Sequence, residues 1–80
     1  MKQIHVGYYA KLREERGCSE EEVETEAATP AVLYASLRQA HGFSLAEAQL
    51  RVVINEEFAG WDAPLQAGDT VVFIPPVAGG

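Results

Sequence analysis

The sequence contains one complete signature of a long helix, which favours folds in which a single helix covers a sheet. In "TPAVLYASLRQAHG", Thr29 is suited to cap the helix and Pro30 to occupy its first position. Gly42 fits the C-terminal stop. Apolar residues recur within the segment at helical spacing, which predicts one buried face. The residues predicted for that face are Leu33, Leu37 and Ala40.

Most of the other segments have patterns typical of strands. "QIHVGYYA" and "LRVVIN" are rich in β-branched and aromatic residues, and "TVVFIP" is apolar at both parities, which is typical of a central strand. Short helical turns are predicted at residues 10–16 and 44–49. A tight turn at "NEE" leads to a short strand around Phe58. This order predicts an α+β domain with a mixed sheet of four to five strands and one main helix on one face.

The second strand is expected at the edge of the sheet. In "SEEEVETEA", alternation places four glutamates on one face, where only water is a suitable neighbour. These residues are Glu20, Glu22, Glu24 and Glu26. A metal site is the alternative, but no histidine or turn glycine accompanies the carboxylates. His5, His41 and the single Cys18 also stand apart from one another, so we expect no bound metal.

One helix can cover only one sheet face, so the other face is predicted to be open. It would combine an apolar centre with a polar margin, as protein-binding patches do, although scattered surface apolar residues are an equal alternative. The residues that alternation places on this open face are His5, Tyr9, Arg51, Val53, Thr70, Val72 and Ile74.

Composition narrows the classes of partner and activity. The 80 residues suffice for one domain, and the net charge of −6 disfavours nucleic acid and anionic membranes while favouring a partner with a basic site. No apolar run approaches the ~20 residues of a membrane span, and no basic-then-apolar leader follows Met1, so a cytoplasmic location is expected. No nucleophile and base pair or phosphate-binding glycine loop appears, so we expect no cofactor and no self-sufficient enzyme.

The end of the sequence carries the chemistry. In "FIPPVAGG", Pro75 and Pro76 end the strand, because proline cannot donate to a β-ladder. The interpretation is that the α+β domain extends over residues 1–76 and is followed by a flexible tail over residues 77–80, formed by Val77, Ala78, Gly79 and Gly80. Glycine lacks a Cβ and can pass narrow constrictions. A partner could adenylate the carboxylate of Gly80, and a sulfur nucleophile could then convert it to a thiocarboxylate.

These residues resemble the family of molybdopterin synthase small subunits, which are ubiquitin-like sulfur carriers. The resemblance rests on "YYAKLRE", "VINEEF", "PLQAGDTVVFIPP" and the terminal "PVAGG", and it extends over nearly the whole chain. It implies a β-grasp fold in which the first and last strands are parallel neighbours at the centre of the sheet. Gly80 would carry the sulfur, and Gly79 would be the thin neck before it.

The resemblance also implies partners. An ATP-dependent adenylating and sulfurylating enzyme would activate Gly80, so ATP would be bound by that enzyme and not by this chain. The tail would then enter a pocket of the large synthase subunit, within a heterotetramer of two small and two large subunits. There the thiocarboxylate would give sulfur to cyclic pyranopterin monophosphate, with the catalytic residues on the large subunit.

Four further residues match positions at which this family contacts its partners. Tyr9, Phe58 and Ile74 match apolar contact positions, and Arg13 matches a common arginine that pairs across the interface or remains solvated. Gly7 departs from the apolar residue usual in the first strand, which thins the patch or admits a large partner side chain.

Some roles remain open on the sequence alone. Trp61 is either packed under a loop or in contact with a partner. Two alternative functions also remain: a carrier for thiamine, tRNA thiolation or a tungsten cofactor, and a ubiquitin-like binding module without tail chemistry.

Overall fold

The computed structural model describes residues 1–76. The strands are β1 (Lys2–Tyr8), β2 (Glu20–Thr25), β3 (Arg51–Ile54), β4 (Glu57–Ala59) and β5 (Thr70–Ile74). The helices are α1 (Lys11–Arg16) and α2 (Pro30–His41), with a 3₁₀ turn at Glu47–Gln49. The predictions made for Val77, Ala78, Gly79 and Gly80 lie outside the described residues.

The strands form one mixed sheet in the order β2-β1-β5-β3-β4. β1 and β5 are parallel, and the other neighbouring pairs are antiparallel. The structure therefore confirms the expected α+β architecture of the β-grasp, with the first and last strands of the sequence adjacent at the centre. It also confirms that the acidic strand, β2, lies at an edge.

The main helix begins and ends at the residues that the sequence indicates. Thr29 has extended backbone angles, and its hydroxyl accepts a hydrogen bond from the Val32 amide at 3.4 Å. Gly42 follows the helix at φ 71°, a left-handed conformation that glycine adopts without a steric cost. The predicted turn at residues 10–16 is α1, whereas the turn predicted at residues 44–49 is limited to the 3₁₀ turn at Glu47–Gln49.

The core lies between α2 and one face of the sheet. Leu33 and Leu37 are buried as predicted, but the prediction for Ala40 is wrong because this residue is exposed. Tyr34 is buried instead, and Phe43 from the following loop closes this end of the core. The buried residues of the strands are Ile4, Val6, Tyr8, Val52, Val71 and Phe73. Each such apolar side chain contributes roughly 1.5–3 kcal/mol of transfer free energy.

Candidate functional site: the open face of the sheet

The face of the sheet opposite α2 carries a continuous apolar row. Gly7 pairs with Val72, Val72 with Val53, and Val53 with Phe58, so these four residues lie side by side across β1, β5, β3 and β4. Val53 and Val72 are half-buried, and Phe58 is 71% exposed. Val72 and Val53 thus form an apolar centre on this face, and the exposed Phe58 extends it to the edge strand. No layer of the described residues covers it.

A second row crosses the open face at the end of the sheet from which the chain leaves β5. Ile74 pairs with Arg51. Tyr9 follows Tyr8, the register partner of Phe73, and therefore lies beside Ile74. Tyr9 is 54% exposed and Ile74 is half-buried. The structure thus brings Tyr9 and Ile74 together on the face that strand alternation predicted.

Phe58 also belongs to this face, which the alternation argument did not include. The β3–β4 connection is a two-residue turn at Asn55 (φ 51°) and Glu56 (φ 72°), the type I′ geometry of tight hairpins. This turn fixes the pairing of Val53 with Phe58. A two-residue turn at Asn55 and Glu56 pairs Ile54 with Glu57 and Val53 with Phe58, so the "NEE" turn is the sequence signal that could have located Phe58. The contact role of Tyr9, Phe58 and Ile74 stays a prediction.

The packing around Gly7 and Trp61 explains these two residues, whose roles the sequence alone left open. A Cβ added to Gly7 would lie 3.1 Å from Cγ2 of Val72, so Val72 already fills the space above this glycine. Trp61 is half-buried and stacks on Phe73 with ring centroids 5.8 Å apart and planes at 13°. Its ring also meets Tyr34 edge-on at 5.9 Å. Trp61 therefore packs against the core from the loop that follows β4, and its contact with a partner stays a prediction.

An acidic margin borders the apolar rows along β2. Gly7 pairs with Glu20 and His5 with Glu22, which places these carboxylates on the open face. His5 holds both of them: Nδ1 lies 3.0 Å from Oε1 of Glu22, and Nε2 lies 3.3 Å from Oε1 of Glu20. These contacts, above all the hydrogen bond to Glu22, raise the pKa of His5 above its ordinary value. Glu24 continues the row opposite Gln3.

On the face of the sheet covered by α2, hydrogen bonds join β2 to α1. The Tyr8 hydroxyl donates to Oε2 of Glu21 at 2.6 Å, and the Arg16 guanidinium donates to both oxygens of that carboxylate at 2.9 and 2.7 Å. Arg16 is the main reason that the pKa of Glu21 is lowered. Through these hydrogen bonds the cluster holds α1, which begins two residues after Tyr9, against β1 and β2. Arg13 is exposed on α1 and makes no ion pair within residues 1–76.

The described part of the chain has neither a metal-binding cluster nor a helix able to span a membrane. Over residues 1–76, no group of three or more His, Cys, Asp or Glu side chains is arranged to hold a metal ion. Neither described helix combines the length and the hydropathy that crossing a membrane requires.

Comparison with known proteins identifies the family. The model of the ThiS family matches residues 6–80. The molybdopterin synthase sulfur carrier subunit of Escherichia coli (strain K12) is 32% identical, in an alignment that covers 96% of this chain and 99% of that protein. The similarity therefore extends beyond the described residues to the terminal glycines.

Solved structures share the fold over almost the whole chain. Subunit 1 of a molybdopterin converting factor from Pyrococcus furiosus aligns with a TM-score of 0.79 and 28% identity, covering 96% of this chain and 100% of that one. SAMP1 from Haloferax volcanii aligns with a TM-score of 0.78 and 26% identity, covering 98% and 99%. A chain of the Amycolatopsis orientalis BexX/CysO complex gives 0.71 and 26%, covering 96% and 99%. The chain belongs to the ThiS family.

Proposed function

We propose that this chain is the sulfur carrier subunit of a molybdopterin synthase. The observation that carries the proposal is its 32% identity, at nearly full length on both sides, to the Escherichia coli subunit of that function. The residues "PPVAGG" after the central strand suit a carrier, because the two prolines end the strand and the two glycines have no side chains that a narrow pocket would exclude.

Gly80 would pass through two acyl states. Its carboxylate oxygen attacks the α-phosphorus of ATP on a partner enzyme, which releases pyrophosphate and forms an acyl adenylate. Hydrosulfide then attacks the carbonyl carbon, the bond to AMP breaks, and loss of the remaining S–H proton leaves a thiocarboxylate. Adenylation is required because a carboxylate alone is a poor electrophile. Neither step needs a catalytic side chain from this chain, which would serve as a cosubstrate in the cytoplasm.

The body of the protein would serve recognition. The open face, with Tyr9, Phe58 and Ile74 exposed or half-buried around its apolar centre, would dock on the activating enzyme and then on the large synthase subunit. Arg13 would pair at the margin of that contact. The large subunit would supply the basic catalytic residues and bind the pterin precursor. Two carriers would deliver the sulfurs of one dithiolene in a heterotetramer of two small and two large subunits.

Mass spectrometry tests the carrier chemistry. The protein is incubated with the activating enzyme, ATP and a sulfur source, and intact mass should show the exchange of one oxygen for one sulfur at Gly80. Oxidation of Met1 or Cys18 adds nearly the same mass, so the change must be mapped to the C-terminal peptide. A chain without Gly80, and a chain with one residue added after it, should show no exchange. Absence of the thiocarboxylate in the wild type would refute the proposal.

A second candidate is a carrier that serves another pathway. The family model is named for ThiS, and the similar folds include SAMP1 and a chain of the BexX/CysO complex. Thiamine synthesis, tRNA thiolation and a tungsten cofactor are the alternative destinations of the sulfur. Reconstitution decides between them: the thiocarboxylated chain with a large synthase subunit should convert the pterin precursor. Transfer only to a different acceptor would favour the second candidate. A binding module without tail chemistry would keep its function when Gly80 is removed.

A further inference from the structure

A groove lies at the end of the sheet where the chain leaves β5. Its volume is about 620 Å³, and it is formed where β5 ends, β3 begins and β4 ends. The residues that shape it are Leu50, Arg51, Phe58, Trp61, Ile74 and Pro75. Pro75 is buried and Pro76 is exposed, so the groove opens beside the root of the tail.

The groove lies so close to the start of the tail that a partner protein binding Gly80 would also cover it. Under the proposed function, on which this inference rests, the reacting carboxylate belongs to Gly80, four residues beyond Pro76. Four extended residues span at most about 13 Å. A protein that encloses Gly80 in an active site must therefore bring its own surface close to Pro76, and that surface then lies against the groove.

The walls of the groove suit an apolar side chain. Phe58 is 71% exposed and forms one wall, and Ile74 is half-buried. Trp61 is held by its stack on Phe73, so this wall is already fixed before a partner arrives. Burial of an aliphatic or aromatic side chain against Phe58 and Ile74 removes apolar surface from water.

Arg51 sets the charge that the partner must present. It is exposed, and it makes no hydrogen bond or ion pair through its side chain within residues 1–76. Among the described strands it is the lysine or arginine on the open face, since Lys2 lies opposite Thr25 and donates to the Leu65 carbonyl on the other face. A guanidinium covered by a partner loses its water, and a carboxylate restores its hydrogen bonds in a bidentate pair.

We infer that this groove is a docking site for a partner segment that carries an apolar side chain next to an aspartate or glutamate. The apolar side chain packs against Phe58 and Ile74 on the open face, and the carboxylate pairs with Arg51. The remaining carboxylates of this acidic chain favour a basic partner surface overall. The site at Arg51 therefore specifies one acidic position within that basic surface, and it selects partners that capture the tail in the correct orientation.

Binding of charge variants tests this inference. The affinity of the full chain for the purified large subunit and for the activating enzyme is measured by calorimetry for the wild type, Arg51→Gln and Arg51→Glu. We expect Kd to rise by about tenfold for R51Q and further for R51E with the partner that covers the groove. Arg38→Glu reverses an exposed arginine on α2, away from the open face, and also removes its hydrogen bond to the Phe43 carbonyl. We expect this control to bind within about twofold of the wild type. Phe58→Ala should weaken binding as R51Q does.

Reversing one charge on the partner identifies the acidic position. Aspartates and glutamates of the partner are changed singly to lysine, and one such change should restore the binding of R51E while weakening that of the wild type. Thermal unfolding confirms that each variant is folded. Binding of R51E that equals the wild type with both partners would overturn the inference, and so would the absence of any restoring partner variant.

Two other occupants of the groove are outcomes of the same experiment. If the effect of R51E disappears in a chain ending at Pro76, the groove holds the protein's own tail and the inference is wrong. If R51E instead abolishes a concentration-dependent dimer of the wild type, the occupant is a second copy and the inference is also wrong. If the wild type accepts sulfur at Gly80 and R51E binds both partners as tightly as the wild type does, the inference about the groove is wrong but the proposed function stands. A wild type that binds neither partner and accepts no sulfur would contradict the proposed function itself.

Discussion

Tyr8 and Tyr9 are adjacent residues with opposite environments. Tyr8 is fully buried, and its hydroxyl donates at 2.6 Å to Glu21, the carboxylate that also binds Arg16. Burial, reinforced by this hydrogen bond, raises the pKa of Tyr8 far above its ordinary value, so the phenol remains a donor. Tyr9 is 54% exposed on the open face. Alternation along a strand thus assigns one tyrosine to the fold and the other to the surface.

Removal of each hydroxyl should separate these roles. Tyr8→Phe should lower the free energy of unfolding by about 1.5 kcal/mol, because it removes a buried hydrogen bond to a charged acceptor. Tyr9→Phe is the matched control and should change that free energy by less than about 0.5 kcal/mol. Urea denaturation monitored by circular dichroism measures both values. Equal stabilities of the two variants would show that the bond to Glu21 contributes nothing.

At the scale of the elements, the pairing of β1 with β2 contains a contact that titrates. His5 on β1 bridges Glu20 and Glu22 on β2, and its pKa in the folded protein is raised from the ordinary value of 6.5, chiefly by the Glu22 hydrogen bond. A raised folded pKa means that protonated His5 stabilises the fold. This stabilisation is complete below pH 6.5, the unfolded value, and is lost as the pH rises through the folded pKa.

A pH series on His5→Gln tests this linkage. The wild type should exceed the variant in free energy of unfolding below pH 6.5, and the difference should shrink as the pH rises above that value. The contact is partly exposed, so the difference should not exceed about 1 kcal/mol. NMR titration of the His5 ring gives the folded pKa directly, and Glu22→Gln should return it toward 6.5. A folded pKa below 6.5 in the wild type would contradict the proposed cause.

Short-range sequence patterns predicted where the helices and strands lie better than they predicted which residues these elements pack against. Thr29, Pro30 and Gly42 define α2 through backbone chemistry within a few residues, so the sequence predicted its limits correctly. The exposure of Ala40 was missed because helical spacing does not report that Phe43 closes the core beyond the helix. The place of Phe58 depends on the register set by a two-residue turn, which propensity alone does not give.

Long-range pairing lay beyond reasoning from the residues alone. The parallel pairing of β1 with β5 joins the two ends of the described chain, and no local pattern encodes it. The resemblance supplied that expectation. The groove beside Arg51 was not predicted at all, because its walls come from β3, β4, β5 and the Trp61 loop. Only their packing together creates the space.

At the scale of the whole molecule, charge is distributed unevenly over the open face. The chain has a net charge of −6, and β2 places Glu20, Glu22 and Glu24 along one margin of this face. Arg51 lies toward the opposite side, two strands beyond β1 in the sheet order. A partner with a basic surface would be attracted to the acidic margin before the apolar rows make contact. The field would thereby favour one orientation of encounter.

The rate of association with the large subunit tests this steering. Stopped-flow measurements should show that the association rate constant falls as salt rises, and that E20Q/E22Q/E24Q lowers it by about tenfold at low salt with little change in dissociation. A matched triple variant, E14Q/E47Q/E57Q, removes the same charge from residues off the open face: α1, the 3₁₀ turn and the other parity of β4. Because local potential steers encounter more than net charge does, this control should lose much less rate. Equal losses in the two triples would mean that net charge alone attracts the partner and that the β2 margin has no directing role.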